Sequence, residues 1–232
     1  MSENARNTLT NAPYNWTIND SGKGCPEEAF ITTWQTTADN QSIRIPKHPS
    51  TTGCNYTVDR GDGTKSLNQT GTANHEYASA GTYTVKIFGN FPHPYFDNAG
   101  TAVKPRLLTI EQWGTQQWTS MLSGFEDCPN LKLNADDVPD FSQLTSLEDM
   151  FKKCTNFEDL KDTIGIWDMS GIERIDDMFA YCTRFNEDIT QWTFNNLTNA
   201  SRIFENATAF NQNIANWNVS KVENFESMFE GA

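Results

Sequence analysis

The stretch IDDMFAYCTRFNEDITQW, residues 175–192, sets the reading of this chain. It carries a Met-Phe pair, a cysteine three positions on, a phenylalanine three beyond that, and Ile-x-x-Trp at its end. The order returns 25 residues later as Phe204, Ala207, Phe210 and Ile214-Ala-Asn-Trp217. Ile-x-x-Trp also stands at Ile110–Trp113 and Ile164–Trp167. Phe125, Phe151, Phe179, Phe204 and Phe229 step by 26, 28, 25 and 25, and three residues after each sits Cys128, Cys154, Cys182, Ala207 or Ala232. Several columns hold one phase, which is the signature of an internal repeat.

Ile172, Ile175, Met178 and Phe179 lie at i, i+3, i+6 and i+7, as do Val222, Phe225, Met228 and Phe229. This spacing predicts one face of a short helix. Ser170-Gly-Ile-Glu173 and Ser220-Lys-Val-Glu223 read as capping boxes that start such helices. Each unit of about 25 residues is therefore expected to be a helix plus a short strand. A lone unit cannot bury its apolar face, so the units are expected to stack as a leucine-rich-repeat-like solenoid. The second unit departs from the pattern at Val138-Pro139, where a widened coil is expected. Cys128, Cys154 and Cys182 share a column with alanines and read as a buried structural ladder. Trp113, Trp167, Trp192 and Trp217 read as core rather than as a sugar-stacking platform.

Residues 29–98 carry a different pattern. Tyr83, Val85 and Ile87 alternate along Thr82–Phe88, the period of a half-buried strand. Phe30–Trp34, Ser42–Ile45 and Tyr56–Val58 are further strands, and Gly61-Asp-Gly63 supplies a turn. Several short strands with turn signals predict a small β-sandwich. Val58–Thr64 (VDRGDGT) followed by Tyr77–Val85 (YASAGTYTV) resembles the polycystic kidney disease (PKD) domain, with Arg60 where that family has Trp or Phe. The repeats resemble the BspA-like leucine-rich repeat surface proteins, on Met228-Phe229, Phe210-Asn211, Phe185-Asn186, Ile214 and Trp217-Asn-Val-Ser220. The resemblance implies a bacterial surface protein engaged in adhesion and binding of other macromolecules.

The expected fold class is mixed α and β: an N-terminal PKD/Ig-like β-sandwich, then the solenoid. The expected organisation is a lead segment 1–28, a sandwich 29–98, a connector 99–109, and a solenoid 110–232 that is open at its C-terminal end.

The chain has 232 residues and a net charge of −13, which disfavours nucleic-acid binding. No apolar run is long enough to span a membrane. Met1 is followed by SENARNTLTN, so no signal peptide is visible. The three histidines, His48, His75 and His93, and the absence of a nucleophile signature point away from an enzyme. No cofactor is expected. A structural calcium ion would have to draw on Asp59 and Asp62, or on Asp136, Asp137 and Asp140, whose spacing is not that of a calcium loop. Arg60-Gly61-Asp62 spells an integrin-type motif, and it also fits the family's hairpin turn. Cys25 and Cys54 would either form a disulfide in an oxidising compartment or remain two thiols. Asn-x-Ser/Thr at Asn15, Asn55, Asn196 and Asn206 reads as an Asn- and Thr-rich surface.

A repeat stack offers one extended face to ligands. Glu111, Gln112, Thr190, Gln191 and Asn216 are expected on it, with Asn186, Glu187, Asp188, Asn211, Gln212 and Asn213 in adjoining loops. The expected function is a non-enzymatic adhesion or interaction module on the bacterial cell surface, binding an extracellular protein or glycan. Alternatives are a structural subunit of an extracellular assembly (appendage, fibre or virion), with self-association or a partner chain at the open end, and a carbohydrate-recognising accessory module.

Overall fold

The computed structural model describes residues 28–232. Asn15, Cys25 and the expected lead segment up to residue 27 lie outside the described residues. Eight strands form: β1 Phe30–Thr36, β2 Gln41–Ile45, β3 Asn55–Asp59, β4 Lys65–Gln69, β5 Ala73–Tyr77, β6 Gly81–Asn90, β7 Leu107–Gln112 and β8 Lys132–Leu133. One six-stranded sheet runs β4-β3-β6-β1-β7-β8, and β2 pairs with β5 in a second sheet. Its pairs are antiparallel except β7–β8, where Ile110 lies opposite Leu133 in parallel register. The alternation read from the sequence sets the faces. Tyr56, Val58, Val85 and Ile87 point into the core, while Asn55, Thr57, Phe88 and Asn90 take the other face.

The expected fold class is overturned. Among the described residues there is no α-helix, and the helical turns are three-residue 3-10 pieces at Phe96–Asn98, Lys104–Arg106 and Ile164–Ile166. The repeats are not helix-plus-strand units. The N-terminal strands do not form a separate sandwich either, because β7 and β8 from the repeat region extend their sheet. One hydrophobic core runs without a break from Phe30 to Met228.

The backbone shows why no helix forms. In each of three successive coils two non-helical residues flank the column phenylalanine and the Met or Ile before it. Asp149 and Lys153, Asp177 and Tyr181, Arg202 and Asn206 all have φ between 53° and 63°. An α-helix cannot pass through such left-handed residues. Alternate N–H groups instead leave the coil. Those of Ile175, Asp177, Phe179 and Tyr181 donate to the carbonyls of Asn199, Ser201, Ile203 and Glu205 at 2.7–3.0 Å. The N–H groups between them close tight turns, as from Cys182 to the Phe179 carbonyl at 3.0 Å. Three-residue turns repeat apolar positions at nearly helical spacing, which is why the pattern imitated a helix. The expected capping boxes are Asx turns: Asp168 accepts from the Ser170 N–H at 3.0 Å, and Asn218 from that of Ser220 at 3.2 Å.

Parallel bridges tie Ser146 to Arg174, Arg174 to Asn199 and Asn199 to Asn224. Inside, the phenylalanine column stacks ring on ring, with Phe151–Phe179 at 5.8 Å and Phe179–Phe204 at 6.3 Å. The tryptophan column is buried throughout, as its repeat phase requires.

Candidate ligand-binding face

The residues expected on the ligand face do not form one ribbon. Glu111 and Gln112 sit on β7 and are held by the scaffold. Glu111 accepts from Thr109 Oγ1 at 2.5 Å and Asn134 Nδ2 at 2.6 Å, and Gln112 Nε2 donates to the Ala29 carbonyl at 2.9 Å. Asn186, Asn211 and Gln212 bind one another: the Asn211 N–H donates to Asn186 Oδ1 at 2.8 Å, and Gln212 Nε2 to the Asn186 carbonyl at 2.7 Å. Asn213 caps the Ala215 N–H at 3.0 Å, and Asn216 is exposed.

Glu187, Asp188 and Gln191 do converge. With Asp162, Ile164, Gly165 and Ile166 they line a groove of about 240 Å³. Asp159 holds the turn before the groove by accepting from the N–H groups of Lys161 at 3.0 Å and Ile164 at 2.6 Å. Gly165 permits the approach of the next coil, since a Cβ there would collide with the Asp188 carbonyl. Burial holds the Glu187 carboxyl above its ordinary pKa against a hydrogen bond from the Asp159 N–H, and the charges of Asp159 and Asp162 push it the same way as burial. Asp188 is held below the ordinary range by its hydrogen bonds to Thr190, whose N–H lies 2.9 Å away. Ile166 is 67% exposed beside these carboxyl groups. Asp162 and Ile166 were not among the expected residues. Asp162 stands 25 residues before Glu187, so the repeat phase alone would have located it.

The integrin-type reading of Arg60-Gly61-Asp62 is corrected. Arg60 is 4% exposed, and its Nη2 donates to Ser66 Oγ at 2.8 Å. Asp62 accepts from the Thr64 N–H at 2.9 Å and faces His75 Nε2 at 2.7 Å. Burial would raise its pKa, but the Thr64 and His75 hydrogen bonds prevail and hold it at about 2. This is a hairpin turn with a buried guanidinium.

The acidic runs considered for calcium are spent on structure. Asp59 pairs with Lys65 at 2.7 Å and Asp136 with Lys161 at 3.2 Å. Asp137 receives the N–H groups of Trp113 and Gly114 at 2.9 and 2.8 Å, and Asp140 that of Ser142 at 2.9 Å. No group of three His, Cys, Asp or Glu side chains is placed to hold a metal among the described residues. Cys54, Cys128, Cys154 and Cys182 are buried free thiols.

The geometry is that of a β-sheet continued by a stack of turn-built repeat coils. Residues 96–159 and 119–232 match the family described as "Mycoplasma protein of unknown function, DUF285". The matches span more than half of the chain, which belongs to that family. Comparisons with curated proteins and with solved structures each gave no match.

Proposed function

We propose that this chain is a non-enzymatic interaction module that binds an extracellular or cell-surface protein through the groove at Asp162, Glu187 and Asp188. One observation carries the reading: three carboxyl groups converge beside the exposed Ile166, on coils tied together by Trp192 Nε1 donating to the Ile164 carbonyl at 2.7 Å and Thr163 Oγ1 to the Ala135 carbonyl at 3.2 Å. Carboxylates flanking an apolar side chain suit the stem and charged head of a lysine or arginine. The net charge of −13 would steer a basic partner toward this surface. The resemblance of the repeats to BspA-like surface proteins, and of the Gly-Asp-Gly turn to PKD domains, supports a role in adhesion at the cell surface.

The test is a panel of immobilised matrix proteins probed with wild type and with a triple variant, Asp162→Asn, Glu187→Gln and Asp188→Asn. The variant should bind at least tenfold more weakly, about 1.4 kcal/mol, and salt should weaken wild-type binding. Equal binding by both proteins would refute the reading.

A second reading, a subunit of an extracellular assembly, draws on the last described coil. Phe225 and Phe229 are 44% and 49% exposed there. The N–H groups of Ser227, Phe229 and Gly231 stand where interior coils donate onward. A segment stacking on them must present carbonyls. Two copies meeting through this same face would set donor against donor, which disfavours self-association by that route. Phe229→Asp should abolish co-purification of such a partner.

A further inference from the structure

We propose that the outer face of the six-stranded sheet holds a second binding site, for a neutral oligosaccharide. The face is concave, forming a groove of about 720 Å³. Its floor is two neighbouring cross-strand pairs, Asn55 with Asn90 and Thr57 with Phe88. Leu67, 62% exposed on β4, forms one wall, and Gln116 and Gln117 form the other.

Gln116 is the informative side chain. It is 4% exposed, and its Oε1 accepts from the Phe91 N–H at 3.2 Å. A backbone N–H can only be answered by the oxygen, so the orientation of the amide is fixed. Its Nε2 is thereby set in the groove wall and makes no hydrogen bond among the described residues. Gln116 Nε2 is not one of the buried side-chain atoms left without a partner, so it reaches the groove's solvent. With its oxygen pinned, this amide presents a pre-oriented donor that a ligand acceptor can take over from water. Phe88 is half-buried, and its ring stacks on no other ring among the described residues. It is free to pack against the C–H face of a sugar.

The ligand class follows from this lining. Carboxamides and a threonine both donate and accept, as sugar hydroxyls do. Among the described residues no lysine or arginine lines the groove, Glu28 adds a carboxylate to it, and the chain is strongly acidic, so an anionic glycan is disfavoured. An extended peptide adds to the edge of a sheet, whereas this floor is the side-chain face of β3 and β6.

The experiment is a titration of the full chain with cellotriose, maltotriose and chitotriose, read on the side-chain amide NMR signals of Asn55, Gln116 and Gln117. At least one sugar should move all three signals. Phe88→Ala and Gln117→Ala should each weaken that sugar about tenfold or more. Glu187→Gln, in the groove of the coil stack, should leave it unchanged, which separates this site from the protein-binding one. No movement up to about 10 mM sugar would overturn the proposal, since that excludes even millimolar affinity. So would sugar affinity that survives both substitutions in correctly folded variants, or binding confined to a basic peptide.

Discussion

The Cys182 thiol donates to the carbonyl oxygen of Phe151, one coil earlier, at 3.0 Å, and Cys154 makes the same contact to Phe125 at 3.1 Å. The Phe151 carbonyl also accepts a tight-turn N–H from within its own coil, that of Cys154 at 2.9 Å. The thiol thus occupies the second lone pair of an oxygen facing the next coil. Alanine fills the same column at Ala207, where packing alone is supplied.

This contact predicts inert cysteines. Burial pushes the Cys182 and Cys128 thiols well above their ordinary pKa, and the thiolate is the reactive form. Iodoacetamide at neutral pH should leave Cys128, Cys154 and Cys182 unmodified in the native protein and label all three in denaturant, as read by peptide mass spectrometry. The sign with pH follows. A thiol whose folded pKa lies above its unfolded value stabilises fully below about pH 8.5, and that stability is lost as pH rises beyond it. Cys182→Ala should therefore lower the denaturation midpoint at pH 7 and flatten its decline above pH 9.

His93 predicts an acid limb. Its ring stacks on His48 at 4.7 Å, Thr51 Oγ1 lies 3.1 Å from Nδ1, and the Leu122 carbonyl of the first coil lies 3.4 Å from Nε2. Burial pushes its pKa down to about 4, and His48 and Lys47 push the same way against the Leu122 carbonyl. A depressed folded pKa means stability that is present above pH 6.5 and lost as pH falls toward 4, worth ~3 kcal/mol if the whole shift is realised. Asp62, held at about 2, acts in a lower window, from pH 3.8 down. Urea unfolding at pH 7.5 and 4.5 should show a loss of stability in wild type that is much smaller in His93→Gln. Equal losses in the two proteins would remove His93 from the account.

The repeat, its phase and the strands of the N-terminal half were legible because each is written in side-chain periodicity. Tyr83, Val85 and Ile87 could only be a half-buried strand, and the Phe and Cys columns could only be packed stacks. The conformation inside each coil was not legible. Apolar spacing at Ile172, Ile175, Met178 and Phe179 serves a chain of tight turns as well as a helix. The decisive feature was left-handed backbone at Asp177 and Tyr181. Aspartate at that position tolerates left-handed φ, but tyrosine and the Lys153 and Arg202 of neighbouring coils carry no such signal. At the sites, the Glu187 and Asp188 loop was visible as an acidic turn. The oriented amide of Gln116 depended on the contact with Phe91, which no local pattern encodes.

Gly165 predicts a packing failure at the candidate groove. A Cβ at this position would strike the Asp188 carbonyl, a backbone atom that can move only with its coil. Gly165→Ala should cost about 1–3 kcal/mol, the range for forced overpacking. It should also displace Asp188 from Glu187 and weaken any ligand that uses both. Chemical denaturation reads the first effect and the binding panel the second. Full stability in Gly165→Ala would show that the coils have slack at this contact.

The tryptophan column separates a made hydrogen bond from a missing one. Trp192 Nε1 donates to the Ile164 carbonyl at 2.7 Å, and Trp217 Nε1 to the Ile189 carbonyl at 3.2 Å, each 28 residues back. The same step from Trp167 falls on Pro139, in the irregular second unit, and the Trp167 Nε1 is buried without a partner. Replacing either ring with phenylalanine removes similar apolar area, so the difference between the two variants isolates the N–H. Trp192→Phe leaves the Ile164 carbonyl without its indole donor and should cost about 1–3 kcal/mol more than Trp167→Phe, where an unsatisfied donor is removed. Equal costs in urea denaturation would mean that the Trp167 N–H is satisfied in solution by a buried water. A restored partner offers the converse check. Regularising the second unit to the 25-residue repeat, with Ile-x-x-Trp ending where Val138-Pro139 now stands, should bring a carbonyl under Trp167 and bring the costs of the two substitutions together.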